Sequence, residues 1–465
     1  MNKDSVPAIP RWQNIRDSHD GGVPARRRCE RHHGAESARG WRHRALAIKP
    51  AFALALFLAA CVPADSPIEQ TGGPGPRFDP GGFDAAALGA GENYPSLARG
   101  RSFERRHFVG TFSAYDQVYV GETIARPAAA SRLSRADEPA ISWEFQGTRR
   151  TLDDYLAAHP TTALLIAKGD TILIERYRYG RREDTRFTSF SMAKTLTAML
   201  LGIAMAEGHI RSIDDPAETY VPELRGVEYG RTPLKALLSM ASGVAFREDY
   251  SGADDVARLA RGSFVRQGQG GPGALRQFDT RASPPDTKFS YASAETHVLG
   301  AVVAAATGRT LAAYAAEKIW RPLGAEADAS WLTDATGMAA AFCCFQAVLR
   351  DWARVGLMLA HDGAWNGNQI VPRDWVRWAT RADPARPHLF PGTATPFYGY
   401  GYQTWIFPRA DRSFALLGVY GQSIYVDPES KLVMVHLAAR ARPSNNPEGA
   451  QAIALWRGVR ASLGR

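Results

Sequence analysis

Thr188-Ser189-Phe190-Ser191-Met192-Ala193-Lys194 is the stretch on which the reading of this chain turns. It leads into Met192, Leu196, Met199, Leu200, Leu201, Ile203 and Met205, a segment apolar on nearly every side, and ends at Gly208. The pattern predicts a helix from Ser191 to Gly208, with the glycine as its stop. Such a helix has to be buried over most of its surface. Ser191 falls in its first turn, and Lys194, three residues on, shares its face. A serine hydroxyl is a poor nucleophile until a base takes its proton, and a lysine serves as that base only if burial lowers its pKa toward neutrality. An apolar helix supplies the burial, and its N-terminus adds a positive field that favours an oxyanion. The Ser-x-x-Lys letters specify little by themselves, because a capping serine followed by a surface lysine is spelled the same way. The helix around them gives the pair its meaning.

Strands are expected on both sides of this helix. Ala163–Ala167 and Thr171–Tyr177 are apolar, β-branched runs separated by Lys168-Gly169-Asp170, the pattern of a hairpin. Near the other end, Tyr402–Phe407, Ser413–Val419, Ser423–Val426 and Leu432–Leu437 read as strands, and an amphipathic helix is expected over Glu448–Leu463. Between them, residues 211–350 form helical patches broken by Pro and Gly. Strands from both ends around a helical middle predict an α/β fold: an antiparallel sheet flanked by helices, with an inserted helical lobe over about 211–350. The cleft between lobes is the natural place for a site. The expected division is a leader over 1–60, a tether and N-terminal extension over 61–150, and the folded domain over 151–465.

The formal charge of +9 does not argue for nucleic acid. Residues 1–60 hold 11 Lys and Arg against 5 Asp and Glu, so most of the excess belongs to the leader. Ala51–Ala60 is a short apolar run behind Arg42, Arg44 and Lys49, the order of a signal peptide, and too short for a resident membrane helix. It ends in Leu58-Ala59-Ala60-Cys61, which resembles a bacterial lipobox with Cys61 as the lipidated residue. The implied location is the cell envelope, with the exported protein held at a membrane by its lipid and facing the periplasm or exterior. Val62 to Gly100, rich in Gly, Pro, Asp and Ala, suits a tether. Cys343 and Cys344 are adjacent and read as small buried side chains. Cys29, His32 and His33 lack a second ligand pair at finger-like spacing, so no metal is expected.

The motifs together resemble the serine β-lactamase/penicillin-binding-protein superfamily. Thr188–Lys194 is similar to its nucleophile motif, and Leu237-Leu238-Ser239-Met240-Ala241-Ser242-Gly243 to its LLTMTSG stretch. Ser290-Tyr291-Ala292-Ser293 matches Tyr-x-Asn at the spacing of the class C branch, with Ser293 in place of Asn. The third motif would fall at Val419-Tyr420-Gly421-Gln422, where Val419 replaces the usual cation that binds a substrate carboxylate. Four further stretches resemble the 6-aminohexanoate-dimer hydrolase and family VIII carboxylesterase group: Phe246–Tyr250, Ile319–Gly324, Leu349–Arg354 and Gly421–Pro428. The resemblance spans roughly residues 150–460. It implies a β-lactamase/DD-peptidase-like fold, a catalytic trio of Ser191, Lys194 and Tyr291, and an oxyanion N–H from Gln422 beside that of Ser191. It further implies a polar contact from Ser293 and a substrate-covering loop bearing Tyr250. Lys194 and Tyr291 both stay open as the base. Neither a metal nor an organic cofactor is required.

The expected function is therefore hydrolysis of a small-molecule amide or ester through an acyl-enzyme on Ser191. The alternatives are a DD-peptidase or β-lactamase on peptidoglycan-related substrates, disfavoured by Val419, and a non-catalytic sensor of the same fold. Other signals are weaker. Gly268–Gly273 spells a dinucleotide loop without a leading strand, no Gly-x-Ser-x-Gly elbow occurs, and His297 and His436 read as structural. Tyr398, Tyr400, Tyr402 and Trp405 suit either a cleft lining or the packed face of a strand.

Overall fold

A computed structural model describes residues 73–97, 104–264, 269–409, 411–444 and 447–464. All of these belong to the unit Ser66–Arg465, and the leader, Cys61 and the Cys29/His32/His33 group lie outside them. The main sheet runs in the order Arg77–Phe78, Thr171–Tyr177, Thr161–Lys168, Leu432–Ala438, Gln422–Asp427, Phe414–Gly418, Trp405–Ile406, Gly399–Tyr400. Pairing is antiparallel except at one edge, where Arg77–Phe78 and Ser134–Arg135 run parallel to Thr171–Tyr177. Leu432 faces Lys168 and Leu437 faces Ala163, so the two ends of the domain are joined in the middle of the sheet. The hairpin turns at Gly169, whose φ of +66° suits a residue without a Cβ.

Alternation along these strands feeds two cores. Leu164, Ile166, Ile174, Tyr425 and Met434 pack with Leu455, Trp456 and Val459 of the C-terminal helix Pro447–Leu463. Ala163, Leu165, Ile172, Ile424 and Val433 point the other way, into the larger core that holds Leu196, Met199 and Leu200 of the helix Ala193–Ala206. A strand covered on both faces reads as a continuous apolar run, which is why Ala163–Ala167 shows no polar alternation.

The structure departs from expectation in three places. The described part of the stretch read as a tether is docked at Leu88 and Tyr94, and the extension after it is packed: Phe108, Val109 and Phe112 are buried in the larger core, and Gly121–Ile124 pairs with Ala329–Leu332. The middle region is not helical throughout, because Ala329–Leu332 and Phe345–Val348 form a small sheet with Gly121–Ile124 and with Arg186–Thr188, the strand that enters the nucleophile turn. Finally, Cys343 and Cys344 are joined by a disulfide, with Cys344 at φ +65°. Among the described residues no single helix is long and apolar enough to cross a membrane.

Candidate active site

Ser191 belongs to a single 3-10 turn, Phe190–Met192, that runs directly into the helix Ala193–Ala206. The turn is fixed from both sides. Ser189 donates its N–H to Phe345 O at 2.8 Å and accepts the Phe345 N–H on its hydroxyl at 3.0 Å. Phe190 carries φ +42°, a costly conformation for a residue with a Cβ. Its ring is held by Phe112 at 5.0 Å and Tyr420 at 5.6 Å. The strand Phe414–Gly418 presses on the same turn: a Cβ at Gly418 would lie 2.4 Å from Ser189 O, which requires glycine there.

Lys194 is fully buried, and its Nζ has three polar neighbours: Ser191 Oγ at 2.9 Å, Ser293 Oγ at 3.0 Å and Phe342 O at 2.9 Å. Burial pulls its pKa down to about 8, against an opposing pull from the charge of Glu248. Tyr291 completes the trio from a segment a hundred residues away. Its phenol is hydrogen-bonded to Ser191, and its ring centroid lies 5.0 Å from Lys194 Nζ. Burial, then the Glu248 charge, push the phenol well above its ordinary pKa, so it is a neutral hydroxyl at physiological pH. Trp405 stacks on the Tyr291 ring at 5.4 Å, and Tyr400 meets it edge-on at 6.2 Å. Tyr400 and Trp405 therefore back the site, whereas Tyr402 packs on Trp375 and Tyr398 on Phe407 as well as Trp405.

The remaining expected residues divide. Ser293 opens the helix Ser293–Thr307 and touches Lys194, so a hydroxyl does replace the amide at this position. Tyr250 lies beside the trio, at φ +61°, its phenol donating to Glu248 Oε1 at 2.9 Å. Gln422 sits one strand further in. It pairs with Gly418 across the hairpin and spends its side chain on Ala438 O at 2.7 Å and Val419 O at 3.4 Å. The strand end that abuts the nucleophile turn is thus Gly418. His436 is structural, its ring held by Tyr155, Thr161 and Gly421 O. His297 is buried against Phe342, and desolvation lowers its pKa to about 4.

Two participants carried no sequence signal of their own. The Phe342 carbonyl is a backbone group placed by the fold. Glu248, within Phe246–Tyr250, accepts from Ser293 N at 2.7 Å and Ser293 Oγ at 2.8 Å. Among the described residues, no group of three or more His, Cys, Asp or Glu is placed to hold a metal ion.

Comparison with known proteins bears on the family and the fold. Residues 148–456 match the Beta-lactamase family. A 6-aminohexanoate-dimer hydrolase of Paenarthrobacter ureafaciens is 30% identical over 328 residues, covering 68% of this chain and 83% of that protein. A Bacillus anthracis structure provisionally named as a 6-aminohexanoate-dimer hydrolase superposes with a TM-score of 0.70 at 23% identity, over 79% of this chain and 98% of that one. EstCE1, a hydrolase with promiscuous acyltransferase activity, shares the fold with a TM-score of 0.52 at 16% identity, over 64% of this chain and 92% of its own.

Proposed function

Since the chain belongs to the β-lactamase family and is a hydrolase of that superfamily, we propose that it cleaves a small or medium-sized carboxylic amide or ester by acylation of Ser191. The observation that carries this reading is the 2.9 Å contact between Ser191 Oγ and a buried amine whose pKa falls to about 8. Lys194 Nζ takes the Ser191 proton as Oγ bonds to the carbonyl carbon. The pKa directions favour Lys194 over Tyr291 as that base, because the phenol is driven the other way. As the tetrahedral species collapses, the bond to the leaving nitrogen or oxygen breaks. The leaving atom takes the Tyr291 hydroxyl proton, which the Lys194 ammonium replaces. Water then attacks the ester on Ser191 and gives one proton to the same pair, which returns it to Oγ as the Oγ–carbon bond breaks, releasing the acid and restoring the Ser191 hydroxyl.

The negative oxygen needs N–H donors. Those of the nucleophile turn and of the strand end at Gly418 are the ones this reading assigns, in place of Gln422. The name of the Paenarthrobacter relative makes a linear ω-amino-acid dimer one substrate to try, and the carboxylesterase resemblance makes short acyl esters the other. Val419 is apolar and packs on the core, which gives the β-lactamase and peptidase alternatives no added support.

The test offers p-nitrophenyl butyrate, a linear 6-aminohexanoate dimer and a labelled penicillin to the wild type and to Ser191→Ala. Ester or amide turnover with an acyl group mapped to Ser191, both lost in the variant, is the expected result. Turnover that survives Ser191→Ala overturns the mechanism, and a lasting penicillin adduct without turnover favours the sensor alternative. Export with lipidation at Cys61 is proposed from the leader sequence. Incorporation of labelled palmitate that Cys61→Ser leaves unchanged would contradict it.

A further inference from the structure

A neutral amine has two N–H donors and one lone pair. At Lys194 the lone pair must face Ser191 if it is to take that proton, so the other two neighbours must both be acceptors. The Phe342 carbonyl can do nothing else. The Ser293 hydroxyl can do either, since it carries a proton as well as lone pairs. Pointed at Nζ, that proton would occupy the lone pair Ser191 needs.

Glu248 removes the ambiguity. Its Oε1 takes the Ser293 hydroxyl proton at 2.8 Å, and its Oε2 takes the Ser293 N–H at 2.7 Å, so the carboxylate grips the residue at two points. The Tyr250 phenol donates to the same Oε1 at 2.9 Å. We propose that Glu248 is a positioning residue that, by holding the Ser293 hydroxyl proton, makes Ser293 accept from Lys194 and leaves the lysine lone pair for Ser191. This rests on Lys194 being the base. It also accounts for a serine standing where the resemblance leads one to expect an asparagine: an amide oxygen accepts without help, whereas a hydroxyl needs its proton engaged elsewhere.

The phenols of Tyr229, Tyr250, Tyr291 and Tyr400 are all pushed up by burial, so they stay neutral, and burial pushes the carboxyl of Glu295 up as well. Asp254 binds the backbone N–H groups of Asp249 and Tyr250, while Arg247 and Asp249 pair at the surface. Glu248 therefore raises the lysine pKa against the effect of burial.

The experiment compares wild type, Glu248→Met, Glu248→Met with Ser293→Ala, and Glu248→Gln. It measures kcat and kcat/KM on p-nitrophenyl butyrate from pH 6 to 9.5, with the acyl group mapped on each protein. Glu248→Met is expected to lower kcat by about tenfold to a hundredfold, the effect of one misdirected buried hydrogen bond. Adding Ser293→Ala should recover at least about a third of that loss on a logarithmic scale, because no hydroxyl is left to block the amine. Glu248→Gln should move the acid limb of the pH profile to lower pH, since the charge that raised the lysine pKa is gone. A double variant no faster than Glu248→Met, or an acid limb unmoved in Glu248→Gln, overturns the proposal. Should Glu248→Met fail to fold by circular dichroism, Glu248→Ala with and without Ser293→Ala makes the same comparison. No acyl group on wild-type Ser191 would instead sink the acyl-enzyme reading itself.

Discussion

A base with a pKa of about 8 leaves a plain mark on the rate. At pH 6 about one Lys194 in a hundred is neutral, at pH 7 about one in ten, and at pH 9 about nine in ten. kcat/KM on p-nitrophenyl butyrate, corrected for spontaneous hydrolysis, should therefore climb about tenfold per pH unit below 7 and flatten above 8. The same shift is a statement about stability. The folded pKa lies below the unfolded value of 10.5, so the stabilising contribution is complete above pH 10.5 and is lost as pH falls through 8. The separation amounts to about 3 kcal/mol, the cost of charging a buried amine. Lys194→Met, which cannot charge, should be inactive at every pH, and its stability relative to wild type should improve by up to about 3 kcal/mol between pH 10.5 and 7. Urea unfolding of both proteins across that range measures the difference, in which the shared titrations cancel. A flat rate profile from pH 6 to 9, or a stability difference independent of pH, would refute the assignment of Lys194 as a buried base.

Other perturbations reach other parts of the molecule. Gly418→Ala places a Cβ against the Ser189 carbonyl and should cut kcat at least about tenfold, read by steady-state kinetics with the fold checked by circular dichroism. Trp405→Ala removes the ring stacked on Tyr291 and should lower kcat about threefold to tenfold with little change in melting temperature. Glu175 is wholly buried and accepts from Arg135, Arg350 and Tyr177, so Glu175→Ala removes the acceptor these three buried groups share and should cost about 3–5 kcal/mol in urea unfolding. Phe112→Ala should cost about 3–5 kcal/mol by the same measurement, although residue 112 lies before the expected folded domain over 151–465.

How much was legible depended on whether a residue's role repeats along the chain. The strands at both ends and the helix behind Ser191 announce themselves through apolar runs, and each lies within a few residues of its expected bounds. Ser191 and Lys194 follow from that helix, since one turn of geometry fixes their separation. Tyr291 has no such support; only the resemblance connects residue 291 to residue 191, and the fold brings them together. Gln422 rests on the resemblance alone; its partner across the short hairpin, Gly418, is where the strand end approaches the Ser189 carbonyl. Glu248 had no local signal, because its partners Ser293 and Tyr250 meet it through loop geometry. Phe108, Phe112 and Tyr115 are spaced as a helix face, and that spacing was the available clue that residues 104–118 are packed.

Those three aromatic residues have more than a filling role. Phe190 and Tyr420 both hold positive φ, at 42° and 60°, and they flank the nucleophile from two separate turns. Each conformation costs of order 1–3 kcal/mol and persists only where its surroundings over-determine it. The two rings meet at 5.6 Å, and Phe112 lies 5.0 Å from Phe190 and 5.3 Å from Tyr420, with Phe108 5.0 Å from Tyr420 and Tyr115 6.0 Å from Phe190. The rings from residues 104–118 therefore bear on both strained turns at once. An extension without a reacting group of its own thus bears on the geometry of catalysis: relaxation of either turn would shift Ser191 or the strand end at Gly418, and a displacement of about 1 Å is enough to cost a hundredfold in rate.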